Sequence, residues 1–184
     1  IYNSVQIANL RKNVTGTLTS GNKYLSAPGD FLSVYSLAVY PAAGGEYLFL
    51  LNKDVNFIRE AYPTPTDTGK PKHYAIFGPQ SNDVNELTFI LGPTPDADYK
   101  AELHYYYYPE SIVTAGTTWL GDNFDSALLY GTIMEAALYM RMEPDMVTFA
   151  NERYTQAIAL LKNLGDGKQR MDAYRDGQVR IKVS

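Results

Sequence analysis

The chain has no cysteine, one tryptophan and only two histidines, His73 and His104, in 184 residues. Without thiols it has no disulfide framework, no thiolate zinc site and no cysteine nucleophile. The two histidines fall on different strand-like segments with no Asp or Glu at a ligand spacing from either. They read as hydrogen-bonded or solvent-facing residues rather than metal ligands. No apolar run approaches the roughly 20 residues that span a bilayer, so no membrane partner is expected. No secretory signal is visible, and the sequon Asn13-Val14-Thr15 is a tripeptide that chance supplies often. A net charge of −4 argues against a dedicated nucleic-acid binder.

The residues that could carry chemistry have simpler readings. The glycines are scattered at turns and form no phosphate-binding loop, and no serine sits in a nucleophile elbow. Asp96-Ala97-Asp98 begins like a calcium loop, but the required Gly and distal Glu are missing, so it reads as a turn after Pro95. Asp122 or Asn123 is expected to cap a helix, with Asp125 matching its N-terminal dipole. No catalytic residue, cofactor or metal is expected, and the chain does not read as an enzyme.

Tyrosine is the excess, with 16 copies. It supplies apolar area with a polar tip, which suits strands and half-buried contact surfaces. The pattern predicts an α+β chain. Residues 1–14 read as the remnant of an N-terminal helix and residues 15–118 as a β-rich region. Residues 119–165 follow as a helical hairpin and residues 166–184 as an extension. Strands are expected at 15–19, 31–40, 47–51, 72–77, 87–91 and 99–108, with a short helix over 52–62 stopped by Pro63. Their spacing suits a small antiparallel sheet or sandwich over about 15–108. In 99–108, Ala101, Leu103, Tyr105 and Tyr107 share one face, and Lys100, Glu102, His104 and Tyr106 share the other.

Beyond Asp122-Asn123, a first helix places Phe124, Leu128, Ile133 or Met134, and Leu138 on one stripe, with Gly131 allowing close approach. Pro144 suits the first position of a second helix, whose apolar face is Met146, Ala150, Ala157, Ile158, Leu161 and Leu164. Gly165 stands where that helix should stop. So short a connection predicts an antiparallel hairpin, about 123–164, that needs a further helix to cover it. The extension carries five basic residues against three acidic ones, or +2; the chain total of −4 therefore leaves −6 on the remainder. Its last residues, Gln178 to Val183, alternate like a strand without a partner.

In order, Leu18 to Leu32, Gly69 to Ile76, Leu91 to Tyr99 running into Leu103 to Tyr106, Trp119-Leu120 and the helix Ala127 to Ala137 resemble the head-to-tail adaptors of tailed bacteriophages. The resemblance covers roughly 150 residues. It implies a virion structural protein, assembled in the host cytoplasm, that forms a dodecameric ring in the neck. The partners it implies are further copies of the chain, the portal protein, tail or nozzle proteins, and double-stranded DNA that passes through the lumen without sequence-specific binding. The basic residues Lys168, Arg170, Arg175, Arg180 and Lys182 are then expected to face the portal. The aromatic run Tyr105, Tyr106, Tyr107 and Tyr108, offering ring area and a strand edge, is expected to meet neighbouring copies. The competing expectation is a β-rich carbohydrate- or surface-binding module built on exposed tyrosines.

Overall fold

A computed structural model describes residues 1, 5, 8–64, 66–79 and 87–176. They fall into two compact units, one of residues 11–108 and one of residues 1–10 with 109 onward.

The first unit is a two-layer β structure with one short helix. Its elements in chain order are β1 (Arg11–Leu18), β2 (Tyr24–Ser26), β3 (Phe31–Pro41), β4 (Leu48–Phe49), β5 (Leu51–Asn52), α1 (Val55–Ala61), β6 (Thr68–Gly69), β7 (His73–Phe77), β8 (Thr88–Gly92), β9 (Thr94–Pro95) and β10 (Tyr99–Tyr107). One sheet runs β1-β10-β3-β4 and is antiparallel throughout. The second runs β2-β8-β7-β5, with only the β5–β7 pairing parallel. A parallel pair, β6 and β9, stands apart.

Alternation along the strands brings the two sheets together. In β10 the residues Tyr99, Ala101, Leu103 and Tyr105 are buried while Lys100 is exposed and Glu102 and His104 are half-buried. They join Leu18, Leu37 and Val39 from their own sheet and Tyr74, Phe89 and Leu91 from the other in one core. On the far side of the second sheet, α1 lays Ile58 against Ala75 and Ile90. Asp54 caps α1 by accepting from the Asn56 N–H at 3.0 Å, and Pro63 follows the helix. A turn lock closes one end of this unit. Asp98 Oδ1 accepts from the Ser20 N–H at 2.9 Å, Ser20 Oγ donates to the Asp96 carbonyl at 3.1 Å, and the Tyr99 hydroxyl donates to Asp96 Oδ1 at 2.6 Å. Asp96-Ala97-Asp98 is thus a structural turn.

The second unit is helical. It holds α2 (Ile112–Ala115), α3 (Trp119–Asn123), α4 (Asp125–Met140), α5 (Pro144–Asp176) and a single 3-10 turn at Ala8–Leu10. Arg141, in the left-handed region at φ 50°, ends α4, and Pro144 opens α5, so the two helices fold back as a pair. At Gly131 the pair approaches closely: a Cβ there would lie 3.2 Å from the Tyr154 ring.

Several expectations need correction. Residues 11–14 are strand rather than helix, because Arg11, Lys12, Asn13 and Val14 pair in register with Tyr106, Tyr105, His104 and Leu103. Of the expected N-terminal helix, residues 2–4 and 6–7 lie outside the described residues. Neither Asp122 nor Asn123 caps the first long helix: both lie in α3, and Phe124 is the N-cap residue of α4 without a side-chain cap bond. The capped helix is α3, where Thr118 accepts from the Gly121 N–H at 3.2 Å. The helix does not stop at Gly165 but runs to Asp176. An internal glycine costs only about 1 kcal/mol, and the following Lys, Gln, Arg, Met and Ala are good helix formers. Finally, β10 offers no strand edge, since β1 and β3 pair with both of its sides.

Candidate functional site

The outer face of the first sheet, turned away from the core, carries an aromatic and charged surface. At one end the Arg11 guanidinium lies 4.1 Å from the Tyr35 ring centroid and 5.3 Å from that of Tyr106. Its Nε also donates to the Tyr106 hydroxyl at 3.2 Å. The two rings meet edge-on with centroids 6.3 Å apart. At the other end Tyr40 and Tyr47 lie with centroids 4.7 Å apart. Between them Glu102 accepts from Asn13 Nδ2 at 2.5 Å, and His104 Nε2 stands 3.6 Å from the same oxygen. The Tyr47 hydroxyl also donates to Glu102, and that bond, with some desolvation, pushes the phenol pKa up. Tyr35 and Tyr47 remain about half exposed. Beside Tyr40 and Tyr47 an open hollow of about 270 Å³ is lined also by Glu46, Lys70 and Tyr99.

Register explains this surface. Thr17, Thr15, Asn13 and Arg11 of β1 stand opposite Lys100, Glu102, His104 and Tyr106 of β10, all on the outward side. Shifts in the β10–β3 pairing on either side of Tyr105-Tyr106 disturb the simple alternation there. Tyr106, on the face expected to be wet, is therefore buried under Arg11 and Tyr35.

On the inward side Asp30 organises the end of the sheet. Its Oδ1 accepts from the Tyr105 hydroxyl at 2.8 Å, and its Oδ2 pairs with Lys12 Nζ at 2.6 Å. The Lys12 ammonium also lies 4.1 Å from the Tyr107 ring centroid. Burial would raise the Asp30 pKa, but the bonds from Lys12 and Tyr105 outweigh it and hold the carboxyl below the usual value. Burial and the Asp30 bond push the Tyr105 phenol up to about 12. A depressed carboxylate stabilises the fold above its unfolded pKa and loses that contribution as pH falls through the folded value. Asp30→Asn is therefore expected to flatten the acid side of the stability profile below about pH 4, the ordinary range for Asp. Urea melts of both proteins between pH 2 and pH 7 check this; parallel acid limbs would contradict it.

The sequence-derived site residues are brought together only in part. Tyr105 and Tyr106 are buried within this chain and have no area to offer a neighbour, whereas Tyr107 is half-buried and Tyr108 is 44% exposed. Lys168, Arg170 and Arg175 stand on α5, and Arg180 and Lys182 lie outside the described residues. His73 and His104 lie in different sheets. The His73 Nδ1 stands 3.0 Å from the Tyr62 hydroxyl, and its pKa is lowered by burial and by Lys53 and Lys72. Among the described residues no group of three or more His, Asp or Glu could hold a metal, and no helix is long and apolar enough to cross a membrane. Sequence reasoning missed Tyr35 and Tyr47. Each was visible as a strand tyrosine, but its partner lies on another strand, and spacing within one strand cannot show that.

The helical unit presents a second surface of a different kind. Its fully buried side chains include Leu120, Ala127, Ala137, Ala150, Ala157 and Leu161, mostly small. Larger apolar residues such as Met140, Phe149 and Leu160 are exposed at 62%, 47% and 63%. Neither surface converges nucleophile, base and oxyanion donors; both have the composition of contact surfaces.

No curated protein matches the chain. The family model described as SU10 adaptor protein matches residues 2–182. Two contact surfaces on an α+β scaffold suit such a role, and the match spans nearly the whole chain. The chain belongs to the SU10 adaptor protein family, phage head-to-tail adaptors that are structural components of the virion rather than enzymes.

Proposed function

We propose that this chain forms a dodecameric ring in the neck of the virion, between portal and tail, and keeps the DNA channel continuous. The family match over residues 2–182 is the observation that carries the reading. Charge supports the passage of DNA: with −6 on the body of the chain, phosphates slide past a lumen that does not hold them, since retention needs clustered Lys and Arg. Copies meet side by side, with Tyr107 and Tyr108 part of the contact, while tail or nozzle proteins close the far side of the ring.

The basic residues Lys168, Arg170, Arg175, Arg180 and Lys182 form the portal-facing arm. Their charge opposes that of the body, and α5 carries the first three of them beyond the helix pair. Deleting residues 166–184 tests this. Truncated protein is expected to lose retention on purified portals while its far-UV helix signal falls only by the missing residues. Undiminished attachment would remove the arm from the account.

The glycan-binding alternative keeps one specific observation, the hollow beside Tyr40 and Tyr47 with Glu46 and Lys70 at its wall. A carbohydrate module would bind glycans as a monomer, and Tyr47→Ala would abolish that binding. The adaptor reading expects no saturable sugar binding on a glycan array.

A further inference from the structure

A small hollow opens beside α1, on the side of the second sheet that this helix covers. It holds about 110 Å³, the room of roughly three or four waters. Its lining runs from the buried Ile58 and Ile90 to the exposed Arg59 and Thr64, so it is a recess rather than a flat patch. Lys23 and Arg59 are the charged residues of this lining, and no carboxylate joins them. Among the described residues neither forms an ion pair.

Each cation rests near an aromatic ring. Lys23 Nζ lies 5.5 Å from the Tyr24 ring centroid, and the Arg59 guanidinium 5.7 Å from that of Phe77. Both distances are close to the outer limit of about 6 Å for a cation–π contact, so the rings hold the cations loosely. Tyr24 and Phe77 pack on the same cluster of Ile58, Ala75 and Ile90, which keeps the two cations on one side of the sheet. A third donor is less exposed. Thr94 lines the hollow at 8% exposure, and its hydroxyl makes no hydrogen bond to another described residue. A buried hydroxyl in that state is costly unless an occupant of the hollow meets it.

The walls are fixed before any ligand arrives. The Leu91 N–H donates to the Lys23 carbonyl at 2.8 Å, and the Gly21 N–H donates to the Pro95 carbonyl at 2.9 Å. The Tyr62 N–H donates to the Ile58 carbonyl at 3.0 Å, and the Tyr62 hydroxyl stands 3.0 Å from His73 Nδ1. A Cβ on Gly92 would fall 2.6 Å from the Tyr62 ring, so glycine is what lets that ring close one wall.

We infer that this hollow binds a phosphate group, as the free ion or as a terminal monoester. Donor count decides between anions. A terminal phosphate brings three acceptor oxygens and a charge of about −1.5 to −2, which matches Lys23, Arg59 and Thr94. A carboxylate brings one charge and two oxygens and leaves one of the three unmet. A backbone phosphodiester also carries one charge, and its flanking sugars do not fit a recess of this size, so passing DNA is not held here. The −6 on the body of the chain does not prevent binding: at physiological salt a charge is screened beyond about 8 Å, and the lining decides. Bound phosphate ties the turn before β2, the end of α1 and β9 together, and so stabilises the first unit. The inference is independent of the adaptor reading.

The test titrates the purified full chain with inorganic phosphate and, at matched ionic strength, with chloride, followed by amide NMR. Phosphate is expected to give saturable shifts around Lys23, Arg59 and Thr94 and to raise the melting temperature. Lys23→Ala and Arg59→Ala should each weaken binding by about tenfold or more, the scale of one charge-assisted hydrogen bond. Lys100→Ala, on the other sheet, should leave it unchanged. No saturation, an equal response to chloride, or equal weakening by Lys100→Ala would overturn the inference. The titration of the unmodified chain holds however the variants fold. Phosphoserine and dimethyl phosphate then separate the sources. Competition by phosphoserine supports a terminal monoester, and its exclusion supports the free ion. Dimethyl phosphate binding as tightly as inorganic phosphate would overturn the inference.

Discussion

Phe89→Ala is expected to destabilise the β unit by about 3–5 kcal/mol, the range for removing a fully buried aromatic side chain. Phe89 has no exposed area. It lies on β8, between β2 and β7, and reaches the opposite sheet edge-on at Phe31, with centroids 5.4 Å apart. On its own sheet it meets Tyr74 at 6.0 Å. Alanine would remove both edge-on contacts, leaving Phe31 only its stacking on Tyr105, and open a void between the layers. For a unit of this size such a loss corresponds to a fall in melting temperature of roughly 15 °C or more. Differential scanning calorimetry reads it directly. A fall under 5 °C would mean that the two sheets do not depend on this contact. Hydrogen exchange should place the loss in residues 11–108.

Gly131→Val addresses the other unit. The added Cβ would stand 3.2 Å from the Tyr154 ring, and the γ-methyls would press further into the seam. The helix itself tolerates valine slightly better than glycine, by a few tenths of a kcal/mol. Overpacking runs the other way and costs about 1–3 kcal/mol. Because the seam is lined largely by Ala127, Ala137, Ala150 and Ala157, little else holds the two helices at this distance. The net effect is expected to be loss of exchange protection along residues 144–164 with the β unit unaffected. Gly131→Val with Tyr154→Ala should recover part of the loss, since the added methyls then enter the space the ring vacates. No recovery would show that α4 and α5 do not meet at this point.

How far these features were legible depends on where their cause lies. The strand β10 reads directly from its alternation, because burial of one face imposes a period of two. The helix pair reads from apolar spacing, and Pro144 marks the start of α5 because it alone lacks the N–H that a first turn leaves unsatisfied. By contrast Arg11-Lys12-Asn13 has no strand character of its own. It becomes strand because Tyr106, Tyr105 and His104 pair with it from 95, 93 and 91 residues away. The Asp30 cluster was hidden for the same reason: Lys12, Asp30 and Tyr105 meet only once β1, β3 and β10 are in register. Gly165 misled in the other direction, since a helix-stop signal is only a modest cost that good formers on the far side overcome.

The candidate surfaces follow the same division. An excess of tyrosine announced contact area, but the run Tyr105 to Tyr108 was the wrong place to look for all of it. Centrality in the sheet buries Tyr105, and the Arg11–Tyr35 lid buries Tyr106. On the outer face of the first sheet the half-exposed rings are Tyr35 and Tyr47, flanking the Glu102 cluster. On the helices, the stripe drawn from sequence mixed seam and flank. Ala150, Ala157 and Leu161 are buried, whereas Met146 and Leu164 are exposed.

Electron microscopy of native particles carrying this chain, averaged about the head–tail axis and tested for rotational symmetry, is the most direct measurement. The account predicts a closed ring of density between portal and tail into which the β sandwich and the helix pair fit. Density for this chain at fibre tips or on the capsid surface, with none in the neck, would contradict it.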